Sequence, residues 1–133
     1  MLQPVVIDGI RTPIGKLNGA MKDIQPEEIA AFLLQKICER SHLDIRLLDA
    51  VILGQAKQSS DQPNIARLAA LMTKFPLEVQ AYTVHRQCGS GMQAVQNAAQ
   101  EIMCGYADFV LAGGIESMSN CLLYTSDAAD DRI

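Results

Sequence analysis

Short β-branched runs alternate along this chain with stretches whose apolar residues recur at helical spacing. Pro4-Val5-Val6-Ile7-Asp8-Gly9-Ile10 predicts a buried strand, closed by Arg11-Thr12-Pro13. After a polar loop through Asp23, Pro26-Glu27-Glu28 has the composition of a first helical turn, where proline forfeits no hydrogen bond and the helix dipole favours acids. Ile29, Leu33 and Ile37, joined by Ala30 and Leu34, draw an apolar stripe down one face as far as Arg40. Ala50-Val51-Ile52-Leu53-Gly54 predicts a second strand, and Asn64 to Met72 a second helix around Ile65, Leu68, Ala69 and Met72. A third strand over Val79 to Val84 leads to a third helix from Met92 to Cys104, with Gly105 placed to end it in a left-handed cap. Phe109-Val110-Leu111-Ala112-Gly113-Gly114 predicts a fourth strand. This alternation implies right-handed crossovers and a mostly parallel sheet covered by helices on both faces, an α/β fold of order βαβαβαβ.

The third helix differs from the other two. Between Gln87 and Asp108 its only charged residue is Glu101, and Ala94, Val95, Ala98, Ala99, Ile102 and Met103 spread around most of the cylinder. A surface helix carries a charged face, so this one is expected to be enclosed on nearly every side. One four-stranded sheet cannot do that, and the far side needs a cover from a longer chain or a partner. Residues 121–133 have neither strand period nor helical stripe and are acidic and small. They read as a disordered or artefactual tail following a domain of residues 1–120.

Composition narrows the function. With 49% hydrophobic and 20% charged residues the 133-residue chain suits one globular α/β domain. A net charge of −4 leaves no basic stripe for phosphates, so nucleic acid is not expected as a partner. No apolar run reaches bilayer length, no membrane partner is expected, and the first residues lack a leader pattern, which makes the cytoplasm the expected location. Cys38, Cys88, Cys104 and Cys121 show no close paired spacing, and there are only two histidines, so neither a metal site nor a disulfide framework is expected.

Cys88, followed by Gly89-Ser90-Gly91, carries the chemistry. It stands where the third strand gives way to the third helix. Unpaired N–H groups and the positive end of the dipole there favour a thiolate, the nucleophilic form. Glycines let another molecule approach the backbone, and free donors beside a sulfur suit attack on a carbonyl, whose oxyanion they can hold.

These stretches resemble the amino-terminal half of a thiolase. The resemblance rests on Arg11-Thr12-Pro13-Ile14-Gly15-Lys16, Val51-Ile52-Leu53-Gly54-Gln55, Asn64-Ile65-Ala66-Arg67, Arg86-Gln87-Cys88-Gly89-Ser90-Gly91-Met92 and Ala112-Gly113-Gly114-Ile115-Glu116-Ser117-Met118-Ser119. It implies half of an αβαβα sandwich, in which the catalytic helices lie between two sheets. It implies acyl transfer, by thiolytic cleavage or Claisen condensation, on coenzyme A thioesters. No cofactor is held permanently; acyl-CoA and coenzyme A are the partners, and no cofactor-binding residue is assigned. The family's nucleophile falls on Cys88, which would carry the acyl group as a thioester, and its N–H would serve an oxyanion hole. One such donor is worth roughly 100- to 1,000-fold in rate. The activating histidine, the second cysteine that acts as base and much of the coenzyme A site belong to a carboxy-terminal half not present in this sequence. The chain is therefore expected to be a truncated piece, inactive and aggregation-prone alone, of a homodimer or tetramer.

Plainer readings hold elsewhere. Cys38 and Cys104 sit in apolar stripes and are expected as small buried hydrophobes. His85 ends a strand and is expected to pack or hydrogen-bond, and His42 to lie on the surface beyond a helix end. Glu116 is expected to shape the turn after the fourth strand, and Arg11 and Arg67 to make ion pairs or backbone contacts. The rival function is a dinucleotide-binding, Rossmann-like domain using Gly89-x-Gly91-x-x-Ala94, with Glu116 as the ribose acid. That fingerprint gives no reason for a cysteine at the helix entrance. The ketoacyl synthases, related in architecture, match the wording around Cys88 less well.

Overall fold

Three parallel strands carry the fold in the computed structural model, which describes residues 1–120; the expected tail at 121–133 lies outside the described residues. β1 (Ala50–Gly54) is central, flanked by β2 (Gln80–Val84) and β3 (Val110–Gly114) in the order β2-β1-β3. Ile52 aligns with Tyr82 on one side and Ala112 on the other. Every residue of β1 is buried, as its unbroken apolar sequence requires of a strand covered on both faces.

Alternation along β1 divides the core in two. Val51 and Leu53 belong to the larger cluster, with Ala30, Ala31, Leu34 and Cys38 of α1 (Pro26–Arg40) and Ile65, Ala66, Ala69 and Ala70 of α2 (Ile65–Leu71). Ile52 points to the other face, where Ala94 and Ala98 of α3 (Ser90–Met103) cover it. The chain steps from β1 to β2 through α2 and returns across β1 to β3 through α3. Two right-handed crossovers in opposite directions must put their helices on opposite faces, and they do.

Local chemistry fixes the helix ends. The Glu28 carboxylate accepts the Gln25 N–H at 3.0 Å at the start of α1. Asn64 caps α2 by accepting the Arg67 N–H at 3.1 Å, while its amide donates to the Ala81 carbonyl at 3.1 Å and it accepts the Thr83 hydroxyl at 2.9 Å. That side chain ties the helix to β2. α3 ends at Gly105, whose φ of 75° lies in the left-handed region.

The expected α/β architecture is present, with three of the four expected strands. Pro4–Ile10 is not a strand: Val5, Val6 and Ile7 are 74%, 87% and 68% exposed. A β-branched run becomes a strand only where a neighbour supplies the hydrogen-bond ladder, and none of the three strands pairs with it. The segment is held instead by Asp8, 2.7 Å from Arg40. Cys104 is a second difference. It caps α3 on the exposed side rather than packing inside, whereas Cys38 is buried as expected. α3 buries only Ser90, Ala94 and Ala98, and leaves Met92 and Val95 exposed. Among the described residues nothing covers its far side. No described helix is long and apolar enough to cross a membrane.

Candidate active site

Cys88 is exposed and lies in the tight turn between β2 and α3, at the carboxyl ends of the parallel strands. Open α/β sheets present their functional groups at that end. A cavity of about 790 Å³, lined by Arg46, Asp49, Glu78 and Glu101 among others, opens at the opposite end, beside the first residues of β1 and β2. It is remote from the cysteine, and no cysteine, serine, threonine, lysine or histidine lines it.

The turn is closely tied. Gln87 has a φ of 47°, an unusual conformation for a side-chain-bearing residue. The Gly89 N–H donates to the Arg86 carbonyl at 3.0 Å and the Ser90 N–H to the Gln87 carbonyl at 3.1 Å. The buried Ser90 hydroxyl accepts the Arg86 N–H at 2.8 Å and donates to the Gln87 carbonyl at 2.6 Å. The Cys88 N–H donates to no group among the described residues.

Two glycines explain how α3 comes so close to the sheet. A Cβ built on Gly54, the last residue of β1, would stand 2.3 Å from the Ser90 carbonyl carbon and 2.5 Å from the Gly91 nitrogen. A Cβ on Gly114, the last residue of β3, would stand 3.3 Å from the Gly91 Cα. The first turn of α3 therefore rests backbone to backbone on the ends of two strands. Sequence reasoning attached no role to Gly54. Its signal was a lone glycine closing an otherwise β-branched apolar run, which marks a close backbone approach.

Behind the cysteine, polar side chains run along α3. Arg86 donates to Gln93, whose amide donates to Asn97 at 2.7 Å. Asn97 reaches the Tyr82 hydroxyl at 3.4 Å, and that hydroxyl donates to Glu101 at 2.7 Å. Burial, and then the Glu101 carboxylate, push the Tyr82 phenol above its ordinary pKa. The uncharged stretch of α3 thus has a polar seam facing β2 as well as its apolar contacts with the sheet.

The other candidates fall where chemistry is less available. His85 is exposed just beyond β2, and His42 is exposed with a φ of 52° after α1. Glu116 accepts the Ala56 N–H at 2.9 Å and the Lys57 N–H at 3.3 Å, fastening the loop after β1. Arg67 donates to the backbone carbonyls of Val79 at 2.8 Å and Leu77 at 3.2 Å. Arg11 donates to its neighbour's carbonyl, that of Thr12. The dinucleotide-binding alternative needs Glu116 for a ribose, and that carboxylate is engaged by the loop.

What the geometry defines is an α/β domain that presents a cysteine at a helix entrance seated on strand glycines. The family model for the thiolase N-terminal domain matches residues 4–132, and the chain belongs to the thiolase family. It is 40% identical over 131 residues to the 3-oxoadipyl-CoA/3-oxo-5,6-dehydrosuberyl-CoA thiolase of Escherichia coli, covering 97% of this chain and 33% of that protein. It is 41% identical over 123 residues to a 3-ketoacyl-CoA thiolase of Pectobacterium carotovorum, covering 90% of this chain and 32% of the relative. Among solved structures, the Bacillus anthracis acetyl-CoA acetyltransferase superposes with a TM-score of 0.80 at 44% identity, over 83% of this chain and 28% of that one. The chain spans about a third of the length of the curated relatives it matches.

Proposed function

We propose that Cys88 is the acyl acceptor in an acyltransferase that cleaves or condenses acyl-CoA thioesters. The supporting observation is an exposed thiol at the carboxyl end of the sheet, in a closely tied turn, with its own N–H donating to no group among the described residues. In the forward step the Cys88 sulfur attacks the thioester carbonyl carbon. The carbon–sulfur bond to coenzyme A breaks, coenzyme A leaves as a thiolate and takes up a proton, and Cys88 retains the acyl group. The Cys88 N–H supports the oxyanion formed on the way. In condensation the α-carbon of a second acyl-CoA, having lost a proton to a base outside this sequence, attacks the Cys88 thioester. The carbon–carbon bond forms, the bond to sulfur breaks and the Cys88 thiolate is released. In cleavage the steps run backwards: Cys88 attacks the 3-keto carbon, and the bond to the α-carbon breaks with that carbon reprotonated. A coenzyme A thiolate then takes the acyl group from Cys88.

The resemblance assigns the activating histidine and the proton-abstracting cysteine to residues outside this sequence; His85 stands exposed at the start of the connection that carries Cys88, and Cys104 lies at the far end of α3. The chain by itself is therefore proposed to accept an acyl group without completing turnover. β2, whose outer edge pairs with no strand among the described residues, is the edge proposed for pairing in a dimer, and the same reading has the enzyme working in the cytoplasm as a dimer or tetramer. Incubation with acetyl-CoA, followed by peptide mass spectrometry, tests the central claim. One acetyl group on Cys88, absent from Cys88→Ala, is the expected result. A chain whose Cys88 reacts with iodoacetamide but never takes an acetyl group refutes it. A soluble monomer that condenses acetyl-CoA refutes the proposed dependence on further residues.

A further inference from the structure

The geometry points to Ser90 as a positioning residue that holds the Cys88 sulfur and the Cys88 N–H in one fixed relation. This rests on the acyl-acceptor reading of Cys88. Ser90 is 4% exposed, although it occupies the first position of a helix and carries a hydroxyl. The N-cap before it is Gly89, which has no side chain to satisfy a donor. Ser90 takes over that work in reverse. Its hydroxyl accepts the Arg86 N–H and donates to the Gln87 carbonyl, so one oxygen after Cys88 is tied to the two residues before it. Serine suits the place because a hydroxyl both donates and accepts.

Gln87 shows what the bridge is holding. Its φ of 47° is a conformation a glutamine leaves readily unless its surroundings enforce it. The Gln87 carbonyl receives two bonds, from the Ser90 hydroxyl and the Ser90 N–H, which pin the peptide just before Cys88. Without the hydroxyl the Arg86 N–H loses its acceptor and one of those two bonds goes. Gln87 then relaxes toward negative φ, and the Cys88 peptide rotates with it. The thiol stays exposed, but sulfur and N–H no longer meet the same carbonyl group. Acyl transfer needs both at once, and misplacement on the order of 1 Å costs about 100-fold in such reactions. Alkylation by a small electrophile needs the sulfur alone.

The test compares the two reactions at Cys88 in the 133-residue chain, the Ser90→Ala variant and the Ser90→Thr variant, read by peptide mass spectrometry. Exposed Cys104 serves as the reference thiol, and buried Cys38 reports unfolding by becoming alkylated. Ser90→Ala is expected to lower the rate of acetyl transfer from acetyl-CoA by about 10- to 100-fold. Iodoacetamide alkylation of Cys88, relative to Cys104, is expected to change by less than about 3-fold, and Ser90→Thr, which keeps the hydroxyl, to recover most of the transfer rate. Equal losses in both reactions, or alkylation of Cys38 in Ser90→Ala, overturn the inference by showing a general structural defect. Equal acetyl transfer in wild type and Ser90→Ala overturns it alone. A wild-type chain that takes no acetyl group overturns the acyl-acceptor reading and this inference with it.

Discussion

Replacing Gly54 by alanine isolates the contact on which the cysteine turn rests. The added Cβ would lie 2.3 Å from the Ser90 carbonyl carbon, 2.4 Å from its oxygen and 2.5 Å from the Gly91 nitrogen, against 3.4–4 Å for ordinary contact. All three atoms are backbone, so no side chain can swing aside, and the first turn of α3 must retreat by about 1 Å. Overpacking of this kind costs about 1–3 kcal/mol, and rigid neighbours put this case near the upper end. Alanine also restricts the unfolded chain, which returns roughly 0.4–1 kcal/mol. The net expectation is a loss of about 2 kcal/mol. With a urea slope of about 1–3 kcal/mol/M for a small domain, the midpoint should fall by about 1 M. Gly113→Ala is the matched control: the same substitution in a strand, one residue from the other seat of α3, where the new Cβ meets only Leu53 Cδ2 at 4.0 Å. It should leave the midpoint unchanged or raise it slightly. Urea titrations followed by far-ultraviolet circular dichroism, on dilute samples, decide between them. A Gly54→Ala midpoint equal to wild type, or an equal loss in Gly113→Ala, would refute the claim that backbone contact fixes the helix.

Three further outcomes follow from the same geometry. Asn64→Ala removes the cap of α2 and two bonds to β2, and should destabilise the chain by about 1–2 kcal/mol in the same titration. Glu116→Gln replaces a carboxylate that fastens the Ala56 and Lys57 N–H groups, so amide exchange at those two residues should accelerate while that of β1 stays slow. Burial pushes the Cys38 thiol up, so the folded chain keeps a proton that the unfolded chain releases above about pH 8.5. Stability must therefore fall as pH rises through that range, and Cys38→Ala, whatever its effect at neutral pH, should flatten the decline in urea midpoint.

Much of the fold was legible because periodicity and punctuation agree. Ala50–Gly54 lies where five apolar residues predict a buried strand, and α1 begins at the proline and ends at the arginine its stripe indicates. α3 begins at Ser90, two residues ahead of its expected start, because the Ser90 hydroxyl and N–H close the turn before the apolar stripe begins. Pro4–Ile10 shows the limit of such reasoning. Its composition is that of a strand, but a strand is a relation between two segments, and composition describes only one. Cys104 fails for a related reason. The stripe that seemed to include it belongs to a helix with one face on the sheet and another uncovered among the described residues, so membership of an apolar face did not mean burial.

The site divides along the same line. A cysteine before glycines at a strand-to-helix junction was readable, since local order alone places it at a helix entrance. What holds it there was not. Gly54 precedes Cys88 by more than thirty residues, yet its missing side chain decides how near α3 comes to the sheet. Sequence reasoning gave Ser90 no role, and its hydroxyl acquires a task only once Gln87 turns left-handed and brings its carbonyl within 2.6 Å. A nucleophile is a residue type in a place; its orientation is a property of backbone contacts that sequence spacing does not encode. The distinction can be measured, because the proposal separates reactivity toward a small alkylating agent, for which the exposed sulfur should suffice, from acyl transfer, which should need the turn as well.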